Sequence, residues 1–457
     1  MEKGFVRTAP SPTGRPTLGT SRTAIYNFLH ARQQGMGYLT RLEDSDPVRS
    51  KQEFADDIIE GLAWLGIVSD VPIIKQSERG DIYAKYVDQL LAEGKAYRCY
   101  CSAEKLEADR ERKLAAKEKP IYDRTCLGLG EQPGKPFTVR LKVDTYGAVT
   151  FRDAVYKRVN VRKAEIGDFI VQRSDGTVGY LLSNVIDDAL QNVTMVIRGR
   201  DGISNAPAQI LLYEALGFPV PSYAHAAFIL NEKGQKLSKR NGDASLLDYR
   251  DKGYLPEAMF NALARIGASF GDRELLSVKE MVELFDLKNL SKSDGVFDPQ
   301  KLLNINKHWI KTIEPERLQT LLTPFLLKEQ ITEEQISEFN KVSSVSKAIQ
   351  TLQTRSATLV EMAQKAKFYF IRPAYSSISL TGFQKAILQS FIDNLTNNNS
   401  IDEAIEETCK QANCTIKELG PPVRLSLSGS LAAPGIVEII EVLGTKETIE
   451  RIKLVIT

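Results

Sequence analysis

Two stretches carry residues whose types and spacing could do chemistry. Near the start, Ala9-Pro10-Ser11-Pro12-Thr13-Gly14-Arg15-Pro16-Thr17-Leu18-Gly19-Thr20 lies between a short apolar run, Phe5-Val6, and a helix-like segment ending near Gly35. Strand, glycine-bearing turn and helix start aim free backbone N–H groups and the positive end of a helix at an anion, which makes a candidate phosphate site. An ordinary tight turn is the competing reading. Much later, Gln235-Lys236-Leu237-Ser238-Lys239-Arg240-Asn241-Gly242 gathers two ammonium groups and a guanidinium within five residues. Such charges repel one another unless solvent or a polyanion screens them, so a phosphate loop and a solvated surface loop both fit.

Other groups are also placed for chemistry. Arg41-Leu42-Glu43-Asp44-Ser45-Asp46 sets three carboxylates at the carboxyl end of an expected second strand, where open parallel sheets bind ligands. Cys99-x-Cys101 puts two thiols on one side of an extended segment, and Tyr122-x-x-x-Cys126 follows. Cys409 and Cys414 have no histidines nearby and read as core residues. Five cysteines in a chain this long make no disulfide framework, so reduced thiols are expected. Between Lys341 and Arg372 stand six basic residues against one acid, Glu361, with Phe368, Tyr369 and Phe370 interleaved. That suits phosphate contact and base stacking, and it equally suits a solvated helix face.

The elements that would position these groups alternate. Residues 21–34 show helical spacing, with Arg22 and Arg32 available to the polar side, and residues 38–42 read as a strand. Ser50-x-x-Glu53 forms a capping-box pattern before a helix with Phe54, Ile58, Leu62 and Leu65 on its face. After Gly94 the composition shifts: residues 95–187 hold the cysteine cluster and strand-like runs at 138–143 and 149–152, and read as an insertion between two halves of a nucleotide-binding sheet. Residues 193–198 return as a buried strand, and from Gly253 a helical region continues to the end.

A length of 457 residues suggests roughly three domains. With 42% hydrophobic and 26% charged residues, a mainly disordered chain is excluded, and no apolar run reaches the roughly 20 residues that span a bilayer. Met1-Glu2-Lys3-Gly4 leads into a strand pattern and not a signal peptide, so no membrane association and a cytoplasmic location are expected. A net charge of +2 neither requires nor forbids a nucleic-acid partner.

Taken together, P-S-P-T-G-x-x-x-x-G and K-L-S-K-R resemble the two signatures of a class I aminoacyl-tRNA synthetase, and the first is similar to the glutamyl branch. Further stretches resemble bacterial-type glutamyl-tRNA synthetases over almost the whole length, among them Trp64-Leu65-Gly66, Gln76-Ser77-Glu78-Arg79, Val196-Ile197-Arg198-Gly199, Gly253-Tyr254-Leu255-Pro256-Glu257-Ala258 and Val296-Phe297-Asp298-Pro299-Gln300-Lys301-Leu302. The resemblance implies an α/β plus all-α architecture. A Rossmann-type parallel sheet (1–94 and 188–246) would be split by an α+β acceptor-stem-binding insertion (95–187) and followed by a stem-contact domain (247–318) and a helical anticodon-binding region (319–457). It implies a ligase that joins glutamate to ATP as glutamyl-adenylate and then transfers it to tRNA-Glu, with Mg²⁺ travelling with the ATP and a monomer as the working form. The alternatives are a paralogue redirected to tRNA-Gln, a glutamyl-queuosine-type paralogue, and a catalytically weak tRNA-binding protein; the long segment after Phe297 speaks against the second.

Residue by residue, the resemblance places Arg7, Ser11, Glu43, Tyr180, Asn184 and Arg198 at substrate-binding positions, with Glu43 receiving the substrate ammonium. Guanidinium forks suit a substrate with two carboxylates. Gly19, Lys236, Ser238 and Lys239 match ATP-binding positions, and Lys236, Lys239, Thr17 and Thr20 match the catalytic signatures. Cys99, Cys101, Tyr122 and Cys126 match a zinc site of some family members, with a set of reduced, partly buried cysteines as the alternative. Arg355 matches a position near the last anticodon base. Three residues depart from the pattern: Thr17 stands where the first signature opens with histidine, Arg200 where an acid is usual, and Gly202 where a larger side chain is. Arg15 and Arg200 are the candidates to compensate for the missing histidine.

Overall fold

A computed structural model describes residues 4–237, 244–397 and 400–457. The chain divides into two compact units, Met1–Asp248 with Met259–Asp298, and Tyr249–Ala258 with Pro299–Thr457.

In the first unit, apart from a short parallel pair (Ile229–Leu230 with Gly295–Val296), the strands are, in chain order, β1 (Phe5–Thr8), β2 (Gly37–Leu42), β3 (Ile74–Lys75), β4 (Ala96–Cys99), β5 (Thr138–Leu141), β6 (Ala148–Asp153), β7 (Lys157–Arg162), β8 (Ile170–Gln172), β9 (Val193–Gly199) and β10 (Ser222–Ala226). Seven of them form the main sheet in the order β3-β2-β1-β9-β10-β6-β7. Every neighbouring pair in it is parallel except the edge hairpin β6–β7. Strands β4, β5 and β8 make a separate antiparallel sheet. Residues 95–187, expected to form one insertion, therefore contribute to both sheets. The 138–141 strand stays in the small sheet, whereas the hairpin joins the main one through Asp153 opposite Tyr223 of β10. The two sheets share one core, in which Leu39, Val139, Leu182, Val196 and Leu212 are all buried.

The first helix, α1 (Leu18–Gln34), begins at Thr17, whose hydroxyl accepts the Thr20 N–H at 3.2 Å, and ends at Gly35 with φ 63°, the left-handed geometry that glycine adopts without strain. It is buried on more than one side, so its polar residues must find partners inside. Asn27 donates to the Ile197 and Thr23 carbonyls at 3.0 and 2.8 Å. Arg22, expected on the polar side, is 3% exposed and donates to the Ile266 and Ala227 carbonyls.

The loop between β1 and α1 is fastened from three directions. The Glu43, Lys51 and Leu246 amides donate to the Pro10, Pro12 and Pro16 carbonyls at 3.0 Å each. One correction to the sequence reading lies here: the Ser50 amide, which a capping box offers to Glu53, donates instead to the Asp46 carbonyl at 2.9 Å. The capping box at Ser50-x-x-Glu53 does not form: α2 (Gln52–Trp64) starts from Lys51 without a side-chain cap, the Lys51 amide serves the loop, and the Ser50 hydroxyl is buried without a partner among the described residues.

The second unit is helical among its described residues, running from Pro299–Thr312 to Ile436–Ile456 around buried Leu318, Leu322, Leu352, Met362, Phe391, Val423 and Ile440. No described helix in either unit is long and apolar enough to cross a membrane.

Candidate functional site

The chain passes from β1 to β2 on one side and returns through β9 on the other, so the sheet order reverses at β1/β9. Open α/β sheets bind ligands outside the carboxyl ends of their strands at such a point. A cavity of about 340 Å³ lies there, lined by the ends of β1 (Arg7, Thr8) and β9 (Arg198, Gly199), by Glu43 just after β2, and by Thr17, Gly19 and Thr20 at the start of α1. Ser11, Tyr180, Asn184 and Lys236 complete the set. Every substrate, nucleotide and catalytic position expected from the sequence thus lines one cavity, apart from Ser238 and Lys239, which lie outside the described residues.

Each charged group at the substrate end has a partner behind it. Arg7 is buried, with Nε 3.2 Å from both Asp188 oxygens, and Asp188 also accepts from Arg41 at 2.7 Å. Asp188 sits on α3 (Tyr180–Leu190), and burial pushes its carboxyl up while Arg7 and Arg41 pull it to a net position below the usual range. Glu43 accepts from Asn184 at 2.5 Å and Arg41 at 3.3 Å. The Asn184 oxygen in turn accepts from Gln209 at 2.9 Å, which fixes the amide with its donors toward Glu43. Burial holds the Glu43 carboxyl above its ordinary value against the pull of Arg41 and Arg7. A cation arriving beside Glu43 would relieve that penalty.

Arg198 donates from Nε to His225 Nε2 at 3.1 Å and from Nη2 to the Gly202 carbonyl at 2.8 Å, while its Nη1 is buried with no partner among the described residues. Gly202 is what lets the side chain lie this way. A Cβ there would sit 2.3 Å from Arg198 Nε, closer than atoms pack, so a larger residue would demand a different arginine rotamer.

The nucleotide end is a helix start. Thr17, in the place of the signature histidine, spends its hydroxyl on the cap of α1 and lies 3.1 Å from the Thr20 hydroxyl. Threonine suits this cap because its oxygen reaches the amide three residues on. Thr17→Val, which keeps the shape and removes the acceptor, is expected to cost about 1 kcal/mol of stability; an unchanged denaturation midpoint would refute the cap. The expected compensators are engaged elsewhere. Arg15 pairs with Asp57 at 3.2 Å and Asp248 at 2.5 Å, and Arg200 pairs with Asp294 at 3.2 Å with its guanidinium 4.3 Å from the Phe228 ring centre. The idea that either replaces the histidine is therefore not carried by the geometry. Lys236 does reach the cavity, with Nζ 3.2 Å from Asp201 and 3.9 Å from the Phe228 ring centre.

Sequence reasoning missed three groups here: Arg22, which lines the cavity, and the buried pair Asp153 and His225. A signal existed for His225, one of only three histidines, set in the apolar run Tyr223-Ala224-His225-Ala226-Ala227. Asp153 had none, because its partner lies 72 positions away.

In the small sheet, Cys99, Cys101 and Cys126 bring their sulfurs within 4.8 Å of one another. The Tyr122 hydroxyl stands 3.4 Å from Cys99 Sγ and 3.5 Å from Cys101 Sγ, and Cys101 and Cys126 are 3.5 Å apart. Bonds of about 2.3 Å at tetrahedral angles put sulfurs about 3.8 Å apart, so three thiols and a phenol at these distances can enclose one zinc ion. Burial raises the Cys99 thiol, but bonds from Tyr122 and Arg140 outweigh it and bring the thiol down to about 7, toward the thiolate a metal takes.

In the helical unit, Arg355 lies between the helices Val345–Gln353 and Leu359–Phe370, partly exposed, with Nη2 3.9 Å from Glu438. The basic stretch around it is less available than its composition suggests. Lys341, Lys365 and Arg372 pair with Glu338, Glu361 and Glu447, and Phe368 and Tyr369 are buried, so the expected stacking rings are largely core.

Comparison with known proteins agrees with this geometry. Residues 5–304 match the tRNA synthetases class I (E and Q) catalytic domain, and residues 317–456 match an anticodon binding domain. A glutamate–tRNA ligase of Pelobacter propionicus is 44% identical over 98% of this chain and 97% of its own, and one of Geobacter sulfurreducens is 44% identical with the same coverage. Among solved structures, a glutamate tRNA ligase from Elizabethkingia meningosepticum in complex with its amino acid superimposes with a TM-score of 0.82 at 28% identity, over 100% of this chain and 99% of that one. With a catalytic-domain match over more than half its length and relatives this similar end to end, the chain belongs to the class I tRNA synthetases of the glutamate and glutamine branch, within the glutamate–tRNA ligases.

Proposed function

We propose that the cavity activates glutamate with ATP and passes the glutamyl group to the 3′ end of tRNA-Glu. The observation that carries this reading is the convergence of Arg7, Arg198 and Glu43 on one wall of a cavity whose other wall is the start of α1. The two guanidinium groups bind the carboxylates, Glu43 takes the ammonium, and Ser11, Tyr180 and Asn184 line the remaining pocket. The α1 N-terminus, Gly19, Thr17 and Thr20 face the triphosphate, joined by Lys236, Ser238 and Lys239 of the lysine loop. ATP enters with its Mg²⁺. A glutamate carboxylate oxygen attacks the α-phosphorus and pyrophosphate leaves; the terminal ribose hydroxyl of the tRNA then attacks the acyl carbon and AMP leaves. The chain's part in both steps is to position the reactants and to stabilise charge. The test is ATP-dependent attachment of labelled glutamate to purified tRNA-Glu, and absence of attachment by folded protein would sink the reading.

In the same reading residues 95–187 meet the acceptor stem, 247–318 contact the stem further along, 319–457 bind the anticodon, and the enzyme works as a cytoplasmic monomer. Arg355 would meet an anticodon base, since arginine can bond base edges. Arg355→Ala should lower kcat/KM for tRNA roughly tenfold or more while leaving KM for glutamate alone; unchanged tRNA kinetics would remove the assignment. Cys99, Cys101, Tyr122 and Cys126 would hold one structural zinc, which when bound would fix the 99–126 segment. Elemental analysis of protein purified without chelator should find about one equivalent. Stripping it should loosen this segment, seen as faster proteolysis there, and metal-free protein of unchanged protection would count against the site.

A further inference from the structure

The geometry points to Asp153 and His225 as positioning residues for substrate: a carboxylate–imidazole–guanidinium chain that aims Arg198 at a substrate carboxylate. The inference rests on the reading of Arg198 as a substrate-binding residue. Asp153 and His225 are both fully buried, with His225 Nδ1 2.6 Å from Asp153 Oδ2 and His225 Nε2 3.1 Å from Arg198 Nε.

Chemistry decides the proton positions. An arginine N–H can only donate, so His225 Nε2 must present its lone pair, and the imidazole proton sits on Nδ1 and is donated to Asp153. Burial, followed by the charge of Arg198, holds His225 below its ordinary value against the pull of Asp153, in keeping with a neutral ring. The tautomer is therefore set by Asp153, and the orientation of Arg198 by the tautomer.

The frame is built to keep this arrangement. His225 on β10 lies directly opposite Arg198 on β9. The Tyr223 ring stacks against His225 with 7° between planes. Asp153 Oδ1 is taken by the Val155 and Tyr156 amides at 2.9 and 2.8 Å, which leaves Oδ2 for the imidazole. At the far end, Gly202 holds Arg198 Nη2 and leaves Nη1 as a buried donor without a partner among the described residues, on a side chain that lines the cavity. A buried aspartate–histidine pair that served stability alone would need no third bond to a cavity arginine.

Asp153→Asn is the direct test. The Val155 and Tyr156 amides hold the side-chain oxygen, so the new NH₂ faces His225 Nδ1 and forces its proton to Nε2, where it opposes the Arg198 N–H. KM for glutamate in pyrophosphate exchange with tRNA present should rise roughly tenfold or more, with KM for ATP and the denaturation midpoint nearly unchanged. In an Arg198→Ala background the same substitution should add nothing. His225→Gln, whose oxygen can still accept from Arg198, should be less impaired than His225→Ala, and this pair carries the test if Asp153→Asn does not fold. Arg198→Ala alone separates the two ideas: if it leaves KM for glutamate unchanged, the substrate role of Arg198 falls and the chain with it. If Arg198→Ala raises KM for glutamate but Asp153→Asn does not, or if Asp153→Asn raises both KM values equally, Asp153 and His225 are structural only and the inference is overturned.

Discussion

Glutamine is expected to be activated about 10⁴-fold less efficiently than glutamate, measured as kcat/KM in pyrophosphate exchange with tRNA present. The two substrates have almost the same shape, so a steric filter cannot separate them. What differs is that a carboxylate offers acceptors only, whereas an amide presents an NH₂. The pocket's two guanidinium groups present only donors, and Arg198 has one of its nitrogens, Nη1, buried without a partner among the described residues. A glutamine amide would set N–H against N–H or leave that donor unmet, with no charge to offset the desolvated cation. Two-sided pairing makes the discrimination larger than one hydrogen bond would give. Efficiencies for the two amino acids within tenfold of each other would show that the arginines do not face the distinguishing group.

Arg41→Met is expected to destabilise the first unit by about 3–5 kcal/mol. Arg41 is fully buried and lies 2.7 Å from Asp188, 3.3 Å from Glu43 and 3.9 Å from Asp187, with Gln191 at 3.0 Å. Removing it leaves a cluster of buried carboxylates whose remaining cationic partners among the described residues are Arg7 on one side and Arg79 on the other. A buried ion pair gains little over an apolar core, but removing one partner exposes the full cost of the charges that remain. The sign with pH follows. Arg41 is one of the charges that hold Asp188 below its usual range. Without it, burial would raise the native carboxylate values above the unfolded ones, and a group raised in the native state stabilises at low pH and loses that contribution as pH rises. The deficit of Arg41→Met relative to the parent should therefore shrink as pH falls from 8 toward 5. Urea titrations at the two pH values check it, and a deficit under about 1 kcal/mol at both would mean the cluster is less desolvated than its burial indicates.

These two predictions rest on different kinds of knowledge. The turn and helix start of the opening loop could be read directly, because glycine-bearing turns and helix starts are contiguous in sequence. Arg7, Glu43 and Arg198 could be matched by their motifs. None of these motifs tells that Arg7 needs Asp188, or that Glu43 needs Asn184 and Gln209 to hold it, since those partners come from 141 to 181 positions away and from other elements. The capping box at Ser50 failed for a different, local reason: the Ser50 amide, which the box offers to Glu53, is spent on the Asp46 carbonyl. Composition could not decide between the two readings of the basic stretch around Arg355, because acids that pair with several of its charges lie outside it, as Glu447 does for Arg372.

The sequence by itself determined most of the alternation of strand and helix, the glycine-bearing opening loop, the cysteine and tyrosine spacing, and which polar side chains line the cavity. These are properties of near neighbours, written in periodicity, glycines and charge. Only the tertiary structure decided which donors are left over for a ligand. That depends on what each arginine has already spent: Arg15 and Arg200 are taken by aspartates, and Arg198 is held by His225 and Gly202 with Nη1 unpartnered among the described residues. The edge hairpin β6–β7 makes the point most directly. Its sequence reads as a single strand-like run at 149–152, and only its docking beside β10 carries Asp153 to His225, because sheet pairing brings residues together without regard to their distance along the chain.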